Sequence, residues 1–265
     1  MVAHAIESSG LGSLHGGVCS TTGTGREQLL TGIRLGLVSC AKSNVMKELC
    51  IIVVSWNRPH FLQQTLASIQ LRREGLQTET YVVDNGSDQE TQTVIRNTDW
   101  LTGYLLLDRN YGINVALERI LPVNYVNRFS HILISDADMV YQRPFSLAIN
   151  LLRHYSNFGA VSYQHSPEHI ALGEFEDGPE TWQRKQSERG CSLILETTRL
   201  EQMRPLPIDN LKDFDWWVCR DSPHSLQSRG EQIAVLPGGA HHLGWRNGDS
   251  TWQTCETPEF ETYKR

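Results

Sequence analysis

The chain has 265 residues, 39% of them hydrophobic and 20% charged, with 24 Lys plus Arg against 30 Asp plus Glu and a formal net charge of -6. This length builds one large domain or two small ones without covalent staples, and the composition excludes fibrous, collagen-like and grossly disordered classes. A mildly acidic chain with no polybasic block is a poor binder of duplex DNA through its overall field.

In chain order, residues 1–45 come first: rich in Gly, Ser and Thr, without Trp, Tyr or Phe, and without a sustained period. They are expected to form a poorly structured extension, leaving a domain over 46–265. Leu49 to Ser55 is a continuous apolar, β-branched run, the pattern of a strand buried on both faces. Asn57 is expected to cap a following helix, with Pro59 in its first turn and Leu62, Leu66 and Ile69 as its apolar stripe. Thr80 to Val83 reads as a second strand, Asp84-Asn85-Gly86-Ser87 as a turn, and Gln89 to Arg96 as a helix. A third strand is expected over Tyr104 to Leu107, a helix over Ile113 to Ile120, and a fourth strand over His131 to Ser135. Such alternation predicts a mostly parallel sheet with helices on both faces. Further on, the polar segment from Glu176 to Glu188 reads as a loop able to close over a ligand.

Ligands of such sheets bind beyond the carboxyl ends of the strands. The residues there are Ser55-Trp56-Asn57-Arg58, Asp84-Asn85-Gly86-Ser87, Arg109-Asn110-Tyr111-Gly112 and Asp136-Ala137-Asp138. Asp136 and Asp138, one residue apart at a strand end, suit a hard divalent cation that takes the rest of its shell from substrate phosphates; alone, the pattern is more often a surface turn. Asp84 could hold a base or ribose, or close an Asx-turn. Trp56 could stack on a nucleobase or fill the core, and Arg109 could pair with phosphate or stay solvated. No Gly-x-x-x-x-Gly-Lys-Ser/Thr loop and no Gly-x-Gly-x-x-Gly follows the first strand, which argues against P-loop nucleotidases and dinucleotide dehydrogenases.

Taken together and in order, these segments resemble family 2 glycosyltransferases of GT-A fold, from about Met46 to Arg246. Ile51 to Pro59 is similar to the family's first strand and nucleotide-binding turn, and Val82-Val83-Asp84-Asn85-Gly86-Ser87 to its second. Asn110-Tyr111-Gly112-Ile113-Asn114 with Ala116 resembles the segment after the third strand, and Asp136-Ala137-Asp138 the D-x-D. Gly190 to Leu195 is similar to a glycine-led strand on the acceptor side. Asp213-Phe214-Asp215 resembles the stretch that carries the catalytic base, with Lys212 where the family has Glu, and Ala240-His241-His242 resembles the late histidine segment.

The resemblance implies an α/β fold of GT-A type and inverting transfer of a sugar from a nucleotide-diphosphate donor, expected to be a UDP-sugar, to a hydroxyl acceptor, expected to be a saccharide. It implies Mn²⁺ or Mg²⁺ held by Asp136, Asp138 and His242, donor binding by Ser55, Trp56, Asn57, Asp84, Arg109 and Asp136, and Asp213 as general base. The alternatives are transfer to hydroxymethylated bases of viral DNA and a catalytically inactive binding module. Cys19, Cys40, Cys50, Cys191, Cys219 and Cys255 contain no C-x-x-C pair, and no run reaches the roughly 18–20 apolar residues of a membrane span. A reduced, soluble, cytoplasmic protein is expected.

Overall fold

The computed structural model describes residues 34–37, 46–122, 124–208 and 213–244. The described elements begin with strands β1 (Arg34–Leu37) and β2 (Lys47–Ser55), helix α1 (Pro59–Arg72), β3 (Thr78–Asp84), α2 (Gln89–Arg96), β4 (Gly103–Leu106) and α3 (Ile113–Ile120). There follow α4 (Tyr125–Arg128), β5 (Phe129–Asp136), β6 (Met139–Tyr141), α5 (Phe145–His154), β7 (Phe158–Ser162), β8 (Ala171–Asp177) and β9 (Glu180–Lys185). The last are β10 (Ser192–Glu196), α6 (Thr197–Met203), the short α7 (Phe214–Trp216) running into a π-turn at Trp217–Asp221, β11 (Gln232–Val235) and β12 (Ala240–His242).

Strand β2 lies inside the sheet and is buried on both faces, as its apolar run predicts. Leu49, Ile51 and Val53 join α1 and α5 in one apolar cluster, while Cys50 and Ile52 join α3, α4 and α6 in the other. That alternation follows from the two-residue period of a strand. Helix α1 buries the expected Leu62, Leu66 and Ile69, but Asn57 does not cap it. The N-cap position belongs to Arg58, left-handed at φ 60° with no side-chain cap, and the Asn57 carboxamide oxygen instead accepts the Asp88 N–H at 3.0 Å. Helix α2 is capped as its sequence suggests, with an Asp88 carboxylate oxygen accepting the Thr91 N–H at 2.8 Å.

Ten strands form one sheet in the order β1-β4-β3-β2-β5-β10-β7-β11-β9-β8, and β12 pairs with β6 apart from it. The segment β4-β3-β2-β5 is parallel, and β1, β10, β9 and β8 join antiparallel to their neighbours. The chain runs outward from β2 through β3 to β4 and then returns to β2's other side with β5. The topological switch therefore lies between the carboxyl ends of β2 and β5, where Val54 pairs with Asp136.

Strand β1 lies within the 1–45 extension expected to be poorly structured, and it pairs with β4 from Arg34 opposite Leu106 to Leu37 opposite Gly103. Edge pairing uses backbone amides and carbonyls and needs no aromatic side chain. The stretch from Glu176 to Glu188 is largely a hairpin rather than the expected loop. Phe175 faces Trp182 across β8 and β9, and Trp182 is fully buried; Glu174, Glu176, Thr181 and Arg184 are exposed, while Glu180 and Lys185 turn inward with Trp182. Among the described residues no helix is long and apolar enough to cross a membrane.

Candidate active site

Three turns meet beyond the parallel strands and brace one another. Asn85 donates its backbone N–H to the Ser55 carbonyl at 2.7 Å, and Asn57 donates its own to Ser87 Oγ at 2.7 Å. The Asn85 side chain bridges to the third turn, donating to Asn110 Oδ1 at 2.7 Å and accepting the Tyr111 N–H at 2.9 Å. Asp84 is fully buried beneath this arch and accepts hydrogen bonds from the Ser87 N–H and hydroxyl. Burial pushes its carboxyl up, against the pull of the Ser87 hydrogen bonds. Asp84 thus closes the Asx-turn that the sequence offered as one of its two roles. Arg109 is exposed and lies 4.7 Å over the Tyr111 ring, which Arg119 also covers at 4.1 Å. Ser55, which ends β2, is buried and the following Trp56 is half-buried.

The acidic residues gather at the switch point. Asp136 ends β5 and Asp138 immediately precedes β6, while the intervening Ala137 carbonyl is fixed by the Thr65 hydroxyl of α1 at 2.8 Å. Pairing of β12 with β6 sets His242 opposite Met139 and brings its Nε2 to 3.5 Å from Asp138 Oδ1. His241 points the other way and is exposed, as alternation along a strand requires. The other oxygen of Asp138 accepts from Arg58 Nη1 at 3.1 Å.

Asp136 is pushed up to about 7, by burial first and then by the carboxylates of Asp138 and Asp215, with Arg58 opposing. Burial lowers His242 while Asp138 pulls it the other way. One ligand atom each from Asp136, Cys191 and His242 can lie within 4.8 Å of one another. Carboxylate, imidazole and thiol donors converging from three elements fit a divalent cation.

Asp213 and Asp215 differ in environment. Asp213 is exposed at the start of α7. Asp215 is half-buried, its carboxyl raised by burial and by Asp213, and it packs where a Cβ on Gly190 would come within 3.2 Å of it. Trp217 donates its indole N–H to the Met203 carbonyl at 2.8 Å, while the equally half-buried Trp216 lies between Arg220, 4.3 Å over its ring, and the His169 ring at 5.8 Å. Arg58, Cys191 and Asp215 had not been singled out from sequence as metal-site or catalytic residues. Lys212 lies outside the described residues.

No curated protein matches the chain by sequence. A mannosyltransferase from Pyrobaculum calidifontis, solved in complex with GDP-Man and Mn²⁺, superposes with a TM-score of 0.56 at 16% identity, over 79% of this chain and 60% of that one. Residues 1–349 of S. aureus TarS superpose with a TM-score of 0.47 at 18% identity, over 71% of this chain and 58% of that one. The chain thus spans about three fifths of the length of either protein. The switch-point sheet and its turns have the GT-A fold. The pattern of glycosyl transferase family 2 matches residues 50–190, more than half of the sequence, from within β2 to the turn before Cys191, and the chain belongs to that family.

Proposed function

We propose that the protein is a metal-dependent, inverting glycosyltransferase that moves a sugar from a nucleotide-diphosphate donor, a UDP-sugar, to a hydroxyl of a saccharide acceptor. The observation that carries this reading is the convergence of Asp136, Asp138 and His242 at the open end of the parallel strands. Ser55 and Asp84 end β2 and β3, and Trp56, Asn57 and Arg109 lie on the turns beyond the strands; these residues would bind the donor nucleoside, with Asp136 toward its ribose. Asp136, Asp138 and His242 would hold Mn²⁺ or Mg²⁺, which when bound neutralises charge on a departing diphosphate. Arg58, which meets Asp138 at 3.1 Å, would share that task.

Asp213 would take the proton from the acceptor hydroxyl as that oxygen attacks the anomeric carbon, a step worth roughly 10²–10⁴ in rate. A second assignment rests on a specific observation: Asp215 is the more buried of the two and its carboxyl is raised, which suits a base working near neutral pH. Asp213→Asn and Asp215→Asn separate them. The variant of the true base loses activity roughly 10²–10⁴-fold and keeps donor binding, whereas the other retains turnover within about an order of magnitude.

The reading itself is tested by calorimetric titration of UDP, GDP and dTDP, with and without Mn²⁺, into wild type and Asp138→Ala. GDP stands beside UDP because the archaeal mannosyltransferase was solved with GDP-Man and Mn²⁺. Metal-dependent binding of one nucleotide, lost in the variant, is the expected result. No binding to any of them would favour the inactive binding module. A cytoplasmic location belongs to the same proposal and is checked by cell fractionation.

A further inference from the structure

We propose that Cys191 is a ligand of the metal in this site, making the centre a mixed carboxylate, imidazole and thiolate one that prefers Zn²⁺ or Co²⁺ to Mg²⁺ and Mn²⁺. The inference rests on the metal dependence proposed above and names the class of ion that the site takes.

Cys191 is placed by the fold. The Asp136 N–H donates to the Cys191 carbonyl at 3.0 Å, and the next residues, Ser192 and Ser135, are register partners in the antiparallel pairing of β10 with β5. Gly190 on its other side has no slack, since a Cβ there would meet Phe214 at 3.1 Å and Asp215 at 3.2 Å. The side chain is buried and can set its sulfur within 4.8 Å of a carboxylate oxygen of Asp136 and a ring nitrogen of His242.

The donors come from the ends of β5 and β12 and the residue before β10, so no local turn accounts for their meeting. The other cysteines with described surroundings are different: Cys50 is enclosed by apolar neighbours, and Cys219 lies 3.9 Å from the Glu188 carbonyl. Asp138, a ligand in the function proposed above, also meets Arg58 at 3.1 Å and His242 at 3.5 Å, so the same carboxylate orients the imidazole. Hard Mg²⁺ and Mn²⁺ favour all-oxygen shells, whereas sulfur and imidazole donors favour Zn²⁺ and Co²⁺. On binding, the thiol proton passes to solvent and the sulfur donates its electron pair to the ion.

The test uses the full chain stripped of metal. One equivalent of Co²⁺ is added to wild type and Cys191→Ser, and the near-ultraviolet sulfur-to-cobalt charge-transfer band is recorded beside calorimetric affinities for Zn²⁺ and Mg²⁺. The expected result is a band in wild type that Cys191→Ser lacks. Zn²⁺ affinity should fall by at least the roughly 10–100-fold that loss of an outer-shell partner costs, while Mg²⁺ affinity stays within about twofold.

X-ray absorption of the wild type with one equivalent of Zn²⁺ decides the matter should Cys191→Ser fail to fold; a sulfur scatterer near the usual Zn–S distance of about 2.3 Å is expected. A band or scatterer that persists in Cys191→Ser, or an oxygen and nitrogen shell in wild type, overturns the thiolate assignment. With Mn²⁺-dependent nucleotide binding intact, that outcome leaves the proposed function standing. A wild type that binds no divalent ion overturns both.

Discussion

His131 shows what burial in the sheet does to one titratable side chain. It sits in β5 between β2 and β10, with Nδ1 2.8 Å from the Ser130 hydroxyl. Burial, then the Arg153 charge, lowers it from 6.5 to about 4; Glu48 opposes the shift and Arg199 adds to it. The unfolded chain therefore takes up a proton before the folded one does. Stability should fall as pH drops from about 6.5 to about 4, and this contribution should flatten below that window. Denaturant midpoints at pH 7 and pH 5 check the sign: the wild type loses more between them than His131→Gln, and an equal loss would remove His131 as the cause.

At the scale of elements, two joints hold the site's surroundings. The turn after β3 depends on Gly86, which has φ +80° and comes so close to the third turn that a Cβ would lie 2.3 Å from Arg109 Cα. The left-handed backbone alone makes Gly86→Ala cost about 1–2 kcal/mol, and the clash with rigid backbone adds to that. Thermal unfolding should show the loss, and nucleotide binding should weaken with it because the arch over Asp84 must open.

The second joint is Lys185, at the end of the β8–β9 hairpin. Its ammonium donates to Glu188 and to the Ser166 carbonyl, both at 2.7 Å, and both charged side chains are wholly buried. Lys185→Met would leave the Glu188 charge uncompensated, at a cost of roughly 3–5 kcal/mol by denaturant unfolding. A double replacement by apolar residues should recover only part of that loss: neither charge is then buried alone, but the Ser166 and Arg189 N–H groups lose the Glu188 carboxylate to which they donate.

For the whole molecule, the question is how much of the chain the domain needs. A chain beginning at Met46 lacks β1 and leaves β4 as the sheet edge. The proposal that 46–265 folds alone predicts a cooperative unfolding transition. The loss should be a few backbone hydrogen bonds at about 0.5–1.5 kcal/mol each, with nucleotide binding kept. A truncated chain that fails to fold would extend the domain to include β1.

The sequence by itself determined the alternation of strands and helices, because the periods that reveal it are local. Leu49 to Ser55 had to be buried on both faces, and Gln89 to Arg96 and Ile113 to Ile120 form the helices expected of them. Asp136, Asp138 and the two histidines could be picked out, and strand alternation required that only one histidine face inward. Tertiary structure alone decided the rest. Arg58 reaches Asp138 across 80 residues, Cys191 meets Asp136 through an antiparallel pairing, and Asp215 rather than Asp213 is drawn into the interior. Those meetings depend on strand order and register, which are set by the closing of one core around β2. Residues distant in the chain then share a low-dielectric space in which each changes the other's charge.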